Sequence, residues 1–158
     1  MAASVLKSIE SEAPSPLIDL SLQQRLRRAE VASIMTKGVI CVTTKWTIRE
    51  LSAVLTNGDL GGVPVVDDAW RPIGIVSKSD VVRYLSEHGT VDDATVADCM
   101  LPLAITAHPA MPIAQVAALM AWEGIHRLPI SGPAGDVIGI VSTLDIARWV
   151  AKTAGYAM

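Results

Sequence analysis

Residues Gly139–Asp145 read GIVSTLD, and sixty-five positions earlier (145 − 80) residues Gly74–Asp80 read GIVSKSD. Each copy predicts a short buried strand that runs directly into a helix, because an apolar run is followed by Ser and, three residues later, by Asp. A Ser at this place satisfies a free backbone N–H group, and the positive end of the helix dipole stabilises the Asp carboxylate. The same groups can hold an anion, so each helix start is a candidate binding site as well as a cap.

When the sequence is shifted by sixty-five residues, most of the chain aligns with itself without a gap. Val31 falls on Val96 and Met35 falls on Met100. Further matched pairs are Ile40 and Ile105, Ile48 and Ile113, Ala53 and Ala118, Pro64 and Pro129, and Arg83 and Arg148. An ungapped match of this length indicates an internal duplication.

Each repeat predicts the element order β-α-β-β-α, so the expected fold class is mixed α and β. The expected first strands are Val39–Val42 and Ala104–Thr106, and the expected first helices are Thr47–Asn57 and Pro112–Trp122. The strand pairs that follow are Val63–Val66 with Ile73–Val76 and Leu128–Ile130 with Ile138–Val141. The last helix of each repeat begins at the Ser and extends to about Glu87 or Ala154.

These features resemble the cystathionine-β-synthase (CBS) domain, and the pair resembles a stand-alone Bateman module. The resemblance covers about Val31–Lys152 and rests on three features of each repeat: Val-Ala-x-x-Met at the entrance, the strand Pro, and Gly-Ile-Val-Ser-x-x-Asp. It implies two repeats related by a pseudo-twofold axis, with their sheets packed together and two clefts between them. It also implies that the clefts bind adenosine-containing ligands, namely AMP, ADP, ATP or S-adenosylmethionine, with no other cofactor required.

The resemblance nominates a main cleft around Asp145. In the family this carboxylate accepts hydrogen bonds from ribose hydroxyls, and the Ser at the position of Ser142 faces the phosphates, which agrees with the chemistry of a helix N-terminus. By analogy the first repeat closes this cleft. The other residues implied for it are Thr36, Val39, Leu60, Gly61 and Ile140, the last as an apolar contact to the base.

His126 and Arg127 precede the strand Pro of the second repeat and are similar to the phosphate-binding pair of nucleotide-sensing family members. Arg127 could bind a phosphate with two hydrogen bonds, and His126 offers a further donor. The alternative is that Arg127 only pairs with Glu123 or Asp136 at the surface.

The resemblance implies a second cleft around Asp80 and Ser77. Its other expected members are Ile75, Lys78, Ala104, Ile125 and also His126. The first repeat has Gly61-Gly62 where the second has the His-Arg pair, so it lacks side-chain donors for a phosphate there, unless Lys78 compensates. We therefore expect the Asp145 cleft to bind nucleotide better and the Asp80 cleft to be weak or empty.

The expected division of the chain is residues 1–30, a first repeat at 31–88 and a second repeat at 95–154. Residues 1–16 are rich in Ser, Ala, Glu and Pro and predict a mobile leader, and the leucines that follow predict a helix running towards Ala32. Arg25, Arg27 and Arg28 lie in that helix next to Glu30. They favour a solvated helix face over a nucleic-acid-binding arm.

Composition excludes several classes of protein. The 158 residues are 51% hydrophobic and 18% charged, which is typical of a globular domain with a sizeable core. The net charge of −3 gives no reason to expect nucleic acid or an anionic membrane as a partner. Cys41 and Cys99 have no metal-ligand spacing and are expected to be reduced thiols. With no apolar run long enough to span a bilayer, a cytoplasmic location is the default expectation.

Catalytic motifs are absent from the sequence, which contains no HExxH, CxxC, GxSxG or P-loop, and its three histidines are dispersed. We therefore expect a protein that is not an enzyme. Two hypotheses remain. One is a regulatory module that senses an adenosine ligand and alters an unidentified partner protein. The other is a ligand-free dimeric scaffold in which the clefts are vestigial and the Ser and Asp residues only cap helices.

The helix expected at residues 113–122 is apolar nearly all the way round. A helix that packs one face on a sheet normally has a polar opposite face. Its second face is therefore expected to be buried against another chain, and Trp149 and Val150 extend this surface. Family members commonly associate through such helices, and we expect a homodimer through residues 113–122 and 143–154.

Overall fold

The computed structural model describes residues 24–25, 27–102 and 105–156, in which the two repeats have the same order of elements. The first repeat contains helix α1 (Ile48–Asn57), strands β1 (Gly62–Val66) and β2 (Pro72–Ser77), and helix α2 (Lys78–His88). A short helix α3 (Val96–Cys99) and a two-residue strand β3 (Leu101–Pro102) follow. The second repeat contains α4 (Ile113–Glu123), β4 (Arg127–Ser131), β5 (Val137–Ser142) and α5 (Thr143–Thr153). The mixed α and β class and the duplication are confirmed.

The helices begin where the sequence predicts. Thr47 caps α1: its Oγ1 accepts from the Glu50 N–H (3.2 Å), and its own N–H donates to Glu50 Oε2 (2.8 Å). Pro112 stands just before α4, a place where its missing N–H costs no helical hydrogen bond. Ser77 and Ser142 cap α2 and α5. Local polar residues therefore fix where each helix starts.

The strand pairs of the two repeats have equivalent registers. Gly62 lies opposite Ser77 in β1 and β2, and Arg127 lies opposite Ser142 in β4 and β5. Strand β1 of the first repeat also contacts β5 of the second. Each strand pair therefore ends at the Ser that begins the following helix.

The predicted first strands, Val39–Val42 and Ala104–Thr106, are wrong in extent. Among the described residues each is reduced to one parallel bridge, Val42 with Val65 and Ala107 with Ile130; Ala104 lies outside the described residues. The reason is the strand prolines. The Val42 N–H donates to the Pro64 carbonyl (3.0 Å), and the Val42 carbonyl accepts from the Val66 N–H (2.9 Å). To extend this parallel ladder towards residue 40, the next hydrogen bond would need a backbone N–H at Pro64, which proline lacks.

The segment that enters each repeat crosses to the other repeat. We define the first entrance segment as residues 31–36 and the second as residues 96–101. In the first, Val31 donates to the Met111 carbonyl (2.9 Å); in the second, Val96 donates to the Trp46 carbonyl (2.8 Å). Strand β3, which begins in the second entrance segment, pairs with β2 of the first repeat. Neither repeat is therefore built from its own sequence alone.

Each of the two hydrophobic cores contains side chains from the entrance segment of the other repeat. The core of α1, β1 and β2 includes Val96 and Cys99 from the second entrance segment. The core of α4, β4 and β5 includes Val31 from the first entrance segment, with Ile34 and Met35 packed against it. Val31 and Val96 are both fully buried. Each core thus depends on apolar side chains that the other repeat supplies.

Two equivalent glycines make room for the crossing chains. A Cβ at Gly74 would lie 2.8 Å from the Leu101 carbonyl oxygen, and a Cβ at Gly139 would lie 2.7 Å from Met35 Sδ. Real Cβ atoms do not approach other atoms so closely. Gly74 therefore allows the backbone of the second entrance segment to approach, whereas a side chain at Gly139 would require Met35 to shift.

The N-terminal part is described only from residue 24. Gln24, Arg25, Arg27 and Arg28 are helical and exposed, and the predicted leader at residues 1–16 lies outside the described residues. The chain then reaches α4, where the Ile113 N–H donates to the Ala29 carbonyl (2.8 Å).

Candidate functional site

The start of α5 holds the Asp145 carboxylate in a fixed position. The Ser142 hydroxyl and the Ser142 N–H both donate to Asp145 Oδ2, at 2.6 Å and 2.8 Å. The Asp145 N–H in turn donates to Ser142 Oγ at 3.2 Å. Asp145 Oδ1 has no hydrogen-bond partner among the residues that the structure describes. One oxygen of this half-buried carboxylate is therefore used to cap the helix, and the other can accept hydrogen bonds from a ligand.

A cavity of about 760 Å³ opens beside Asp145. It lies between the first entrance segment and one face of α5, where positions three and four residues apart are neighbours. The lining residues are Ser33, Ile34, Asp145, Arg148, Trp149, Lys152 and Tyr156. We call this the Asp145 cavity. It offers a carboxylate, two cationic groups and two aromatic rings.

The backbone of the first entrance segment lies directly against β5. The Thr36 N–H donates to the Ile140 carbonyl (2.9 Å), and the Ile140 N–H donates to the Thr36 carbonyl (3.0 Å). Two of the predicted members of the main cleft, Thr36 and Ile140, are thus adjacent, and Ile140 is two residues from Ser142. Val39 is half-buried, and Leu60 packs against the core around β1 and β2.

Arg127 extends across the repeats towards Gly61. A Cβ at Gly61 would lie 2.7 Å from Arg127 Cζ, so the guanidinium occupies the space that a side chain at Gly61 would need. The alternative pairing with Glu123 or Asp136, both among the described residues, is not observed. The Gly61 carbonyl accepts from the Lys78 N–H (3.2 Å) at the start of α2. The structure therefore places Arg127 near the start of α2, outside the Asp145 cavity.

His126 lies apart from the Asp145 cavity as well. Its side chain is exposed and lines a smaller cavity of about 250 Å³ between α4 and α5, together with Ile125 and Thr143. Its carbonyl accepts from the Thr143 N–H (3.0 Å), which is the equivalent of the bond between Gly61 and Lys78. The side chains of His126 and Arg127 therefore point to different places, and neither lines the Asp145 cavity.

The start of α2 has the same cap but a different outcome for its carboxylate. The Ser77 hydroxyl and N–H donate to Asp80 Oδ2, at 2.5 Å and 2.9 Å. Arg83 Nη2 then donates to Asp80 Oδ1 at 2.8 Å, and only 9% of Asp80 is exposed. Both oxygens of Asp80 are therefore already bound. Of the other residues predicted for this cleft, Ile75 is buried and Lys78 forms a loose surface pair with Asp59 (3.9 Å).

The second entrance segment packs against α2 and carries an acidic residue, Asp98. Burial raises the pKa of the Cys99 thiol, and the negative charges of Asp98 and Asp80 raise it further. Hydrogen bonds from the Thr95 backbone and side chain lower the pKa of Asp98, which keeps that carboxylate charged. The second entrance segment thus brings a negative charge to α2, and Cys99 is held as a neutral thiol.

The sequence reasoning missed most of the residues that line the Asp145 cavity. Arg148, Trp149 and Lys152 follow Asp145 at three, four and seven residues, so the helical period could have placed them on its face. Ser33 and Ile34 could not have been found this way, because their position depends on the exchange of entrance segments.

The fold and the two capped helix starts define a tandem module of two equivalent α+β repeats that exchange their entrance segments. The family model of the CBS domain matches this chain twice, at residues 31–87 and 96–152. The chain therefore belongs to the CBS domain family.

Similar proteins agree with this assignment. The chain is 30% identical to protein MK0525 of Methanopyrus kandleri over 78% of its own length and 63% of that protein. Among solved structures, the CBS domain pair of protein MJ0100, in complex with 5'-methylthioadenosine and S-adenosyl-L-methionine, is 27% identical with a TM-score of 0.70, covering 77% of this chain and 98% of that one. CBSX2 in complex with AMP has the same fold, with 23% identity, a TM-score of 0.69 and coverage of 78% and 97%.

The first curated relatives are longer than this chain, which spans 63%, 22% and 28% of their lengths. Two of these three carry enzyme names, whereas the match to the solved CBS pair of MJ0100 covers 98% of that chain. Within the described residues, every helix is too short or too polar to cross a bilayer. Over the same residues, no group of His, Cys, Asp and Glu side chains is arranged to hold a metal ion.

Proposed function

We propose that this chain is a non-enzymatic regulatory module that binds an adenosine-containing ligand in the Asp145 cavity and transmits binding to a partner protein. The observation that carries the proposal is the state of Asp145. Its cap fixes one carboxylate oxygen, while the other lacks a partner among the described residues, in a cavity of about 760 Å³. Small-molecule sites have volumes of about 300–1,000 Å³, so the space suits a nucleoside or nucleotide.

The chemistry of the lining residues fits an adenosine ligand. A fixed carboxylate oxygen accepts hydrogen bonds from the two ribose hydroxyls, and the half-buried Trp149 and Tyr156 rings offer faces on which a purine can stack. The CBS pair of MJ0100, at 27% identity, is in complex with two adenosine compounds. AMP, ADP, ATP and S-adenosylmethionine are therefore the ligands to test.

The second cleft is proposed to be weaker or empty. Arg83 and Ser77 already bind both oxygens of Asp80, so a ribose would have to displace an ion pair. Arg127 lies near this cleft and could supply the phosphate donor that Gly61 and Gly62 lack.

Ligand binding can be transmitted because the Asp145 cavity spans both repeats. Its walls are α5 of the second repeat and Ser33 and Ile34 of the first entrance segment. A ligand that contacts both walls favours one relative position of the repeats, and a partner protein that recognises this position responds to the ligand.

Calorimetric titration with the four ligands tests the proposal, using the unmodified protein, Asp145→Ala and the matched control Asp80→Ala. Saturable binding that disappears in Asp145→Ala and persists in Asp80→Ala is the expected result. Loss in Asp80→Ala alone would move the site to the other cleft.

The alternative function is a ligand-free scaffold. The cap hydrogen bonds of Asp145 are sufficient to explain its presence without any ligand. In that case no ligand binds, and Asp145→Ala only costs the cap energy of about 1 kcal/mol.

We further propose that the chain forms a homodimer through α4 and α5. Trp122 on α4 is 89% exposed, and Leu144 and Val150 on α5 are 55% and 43% exposed. Burying such large apolar side chains against a second copy is favourable, and Trp is enriched among the residues that contribute most to binding at interfaces. Sedimentation velocity should show a dimer that Trp122→Ala weakens. Trp70→Ala is the control, because Trp70 is 57% exposed in the turn between β1 and β2.

A further inference from the structure

We infer that Arg148 and Lys152 make the Asp145 cavity selective for adenosine ligands that bear phosphate groups. This inference rests on the proposed function, because it names which ligands that site prefers.

The Asp145 cavity has a net positive lining. Its charged residues are Asp145, Arg148 and Lys152, which sum to +1. Arg148 and Lys152 form no ion pair with any residue that the structure describes. They are four residues apart on one face of α5, so both cations can reach the same ligand.

One of the equivalent positions of the first repeat, sixty-five residues earlier, has the opposite charge. Arg148 corresponds to Arg83, but Lys152 corresponds to Glu87. Arg83 is bound to Asp80 at 2.8 Å and is not available to a ligand without breaking that pair. The charge of Lys152 is thus replaced by a negative one in the other repeat.

The exchanged entrance segments increase this difference. Ser33, which lines the Asp145 cavity, corresponds to Asp98 in the second entrance segment. The positions equivalent to Ser33, Asp145, Arg148 and Lys152 are Asp98, Asp80, Arg83 and Glu87, and their charges sum to −2 where the cavity residues sum to +1. Helix α3, which carries Asp98, packs against α2, which carries Asp80 and Glu87.

The chemical consequence is discrimination by ligand charge. A phosphate chain can form charge-assisted hydrogen bonds with Arg148 and Lys152, and these are the strong class of hydrogen bond. Adenosine has no such group, and the sulfonium of S-adenosylmethionine is repelled by both cations.

The test compares adenosine, AMP, ATP and S-adenosylmethionine on the unmodified protein and on Lys152→Glu, which places the first-repeat residue at this position. We expect the affinity to increase from adenosine to ATP, and S-adenosylmethionine to bind more weakly than AMP. Lys152→Glu should lower the affinity for ATP by at least about tenfold, as expected for hydrogen bonds to charged groups, and leave adenosine binding unchanged. Lys152→Gln removes the charge without reversing it and should have an intermediate effect, and thermal melting verifies that each variant is folded.

The outcomes separate the two proposals. If adenosine and ATP bind equally, or if Lys152→Glu lowers both to the same extent, charge selection is overturned while adenosine binding in the cavity stands. If none of the ligands binds the unmodified protein, the proposed function fails and the inference fails with it. Glu87→Lys is the matched control: it should not change ATP binding at the Asp145 cavity, and a tenfold loss there would overturn the assignment to α5.

Discussion

The helix starts at Asp80 and Asp145 share one cap geometry and differ in almost everything around it. In both, a Ser hydroxyl and N–H donate to one carboxylate oxygen. Around Asp80 the other oxygen is bound by Arg83, whereas the equivalent Arg148 lines an open cavity. The cap that forms the fold is therefore the same in both repeats, and the difference is whether the second carboxylate oxygen is already bound.

The largest effect is expected from the two glycines that face the entrance segments. Gly74→Ala should destabilise the protein by about 1–3 kcal/mol, because the new methyl group meets the backbone oxygen of Leu101, which cannot move alone. Gly139→Ala should cost less, because its nearest neighbour is the flexible side chain of Met35. Urea unfolding of both variants measures the difference. An equal or larger loss of stability in Gly139→Ala would contradict this, because it would show that a flexible neighbouring side chain does not reduce the cost.

The substitutions Asp145→Ala and Asp80→Ala should rank in one order for loss of stability and in the reverse order for loss of ligand binding. Asp145→Ala removes a helix cap and should cost about 1 kcal/mol. Asp80→Ala also removes the ion pair with the half-exposed Arg83 and should cost somewhat more, about 1–2 kcal/mol. Ligand binding should show the reverse order, with the loss confined to Asp145→Ala. Chemical denaturation measures the loss of stability, and calorimetry on the same samples measures the loss of ligand binding. If the same substitution caused the larger loss in both measurements, the comparison would be contradicted.

The smallest effect concerns Arg127 and Gly61. Gly61→Ala should displace the guanidinium and cost about 0.5–1 kcal/mol, the usual coupling between contacting residues. The same substitution should be nearly neutral when Arg127→Ala is present, because the added methyl group then has space. A double-mutant cycle in urea unfolding gives the coupling energy. Additive losses would show that Gly61 is required for a reason other than the arginine.

Much of this architecture could be predicted from the sequence. The ungapped offset revealed the duplication, and the Ser-x-x-Asp patterns and the expected start at Thr47 located helix starts to within one residue. These signals are local, since a cap involves residues only three positions apart. The first strands were overestimated because Val39–Val42 has strand-like composition, while its ladder is stopped by Pro64, a residue in a different strand.

The features that could not be predicted depend on contacts between distant parts of the chain. Nothing local in residues 31–36 indicates that they pack on the second repeat, because Val31 is equally suited to either core. The direction of Arg127 likewise depends on the empty space at Gly61, sixty-six positions earlier (127 − 61). The residues missed at the Asp145 cavity, Ser33 and Ile34, follow from the same exchange.

The exchange of entrance segments has a consequence for how such a chain can arise. A single repeat would leave its core without the Val, Ile and Met side chains that the other repeat now provides. It could be completed only by an identical copy that lends its own entrance segment in return, which is a domain-swapped dimer. Joining two such copies end to end turns that dimer into one chain with every exchange preserved. Once joined, the halves are free to differ in sequence, and an ancestor with two identical helix starts becomes a protein with two different ones.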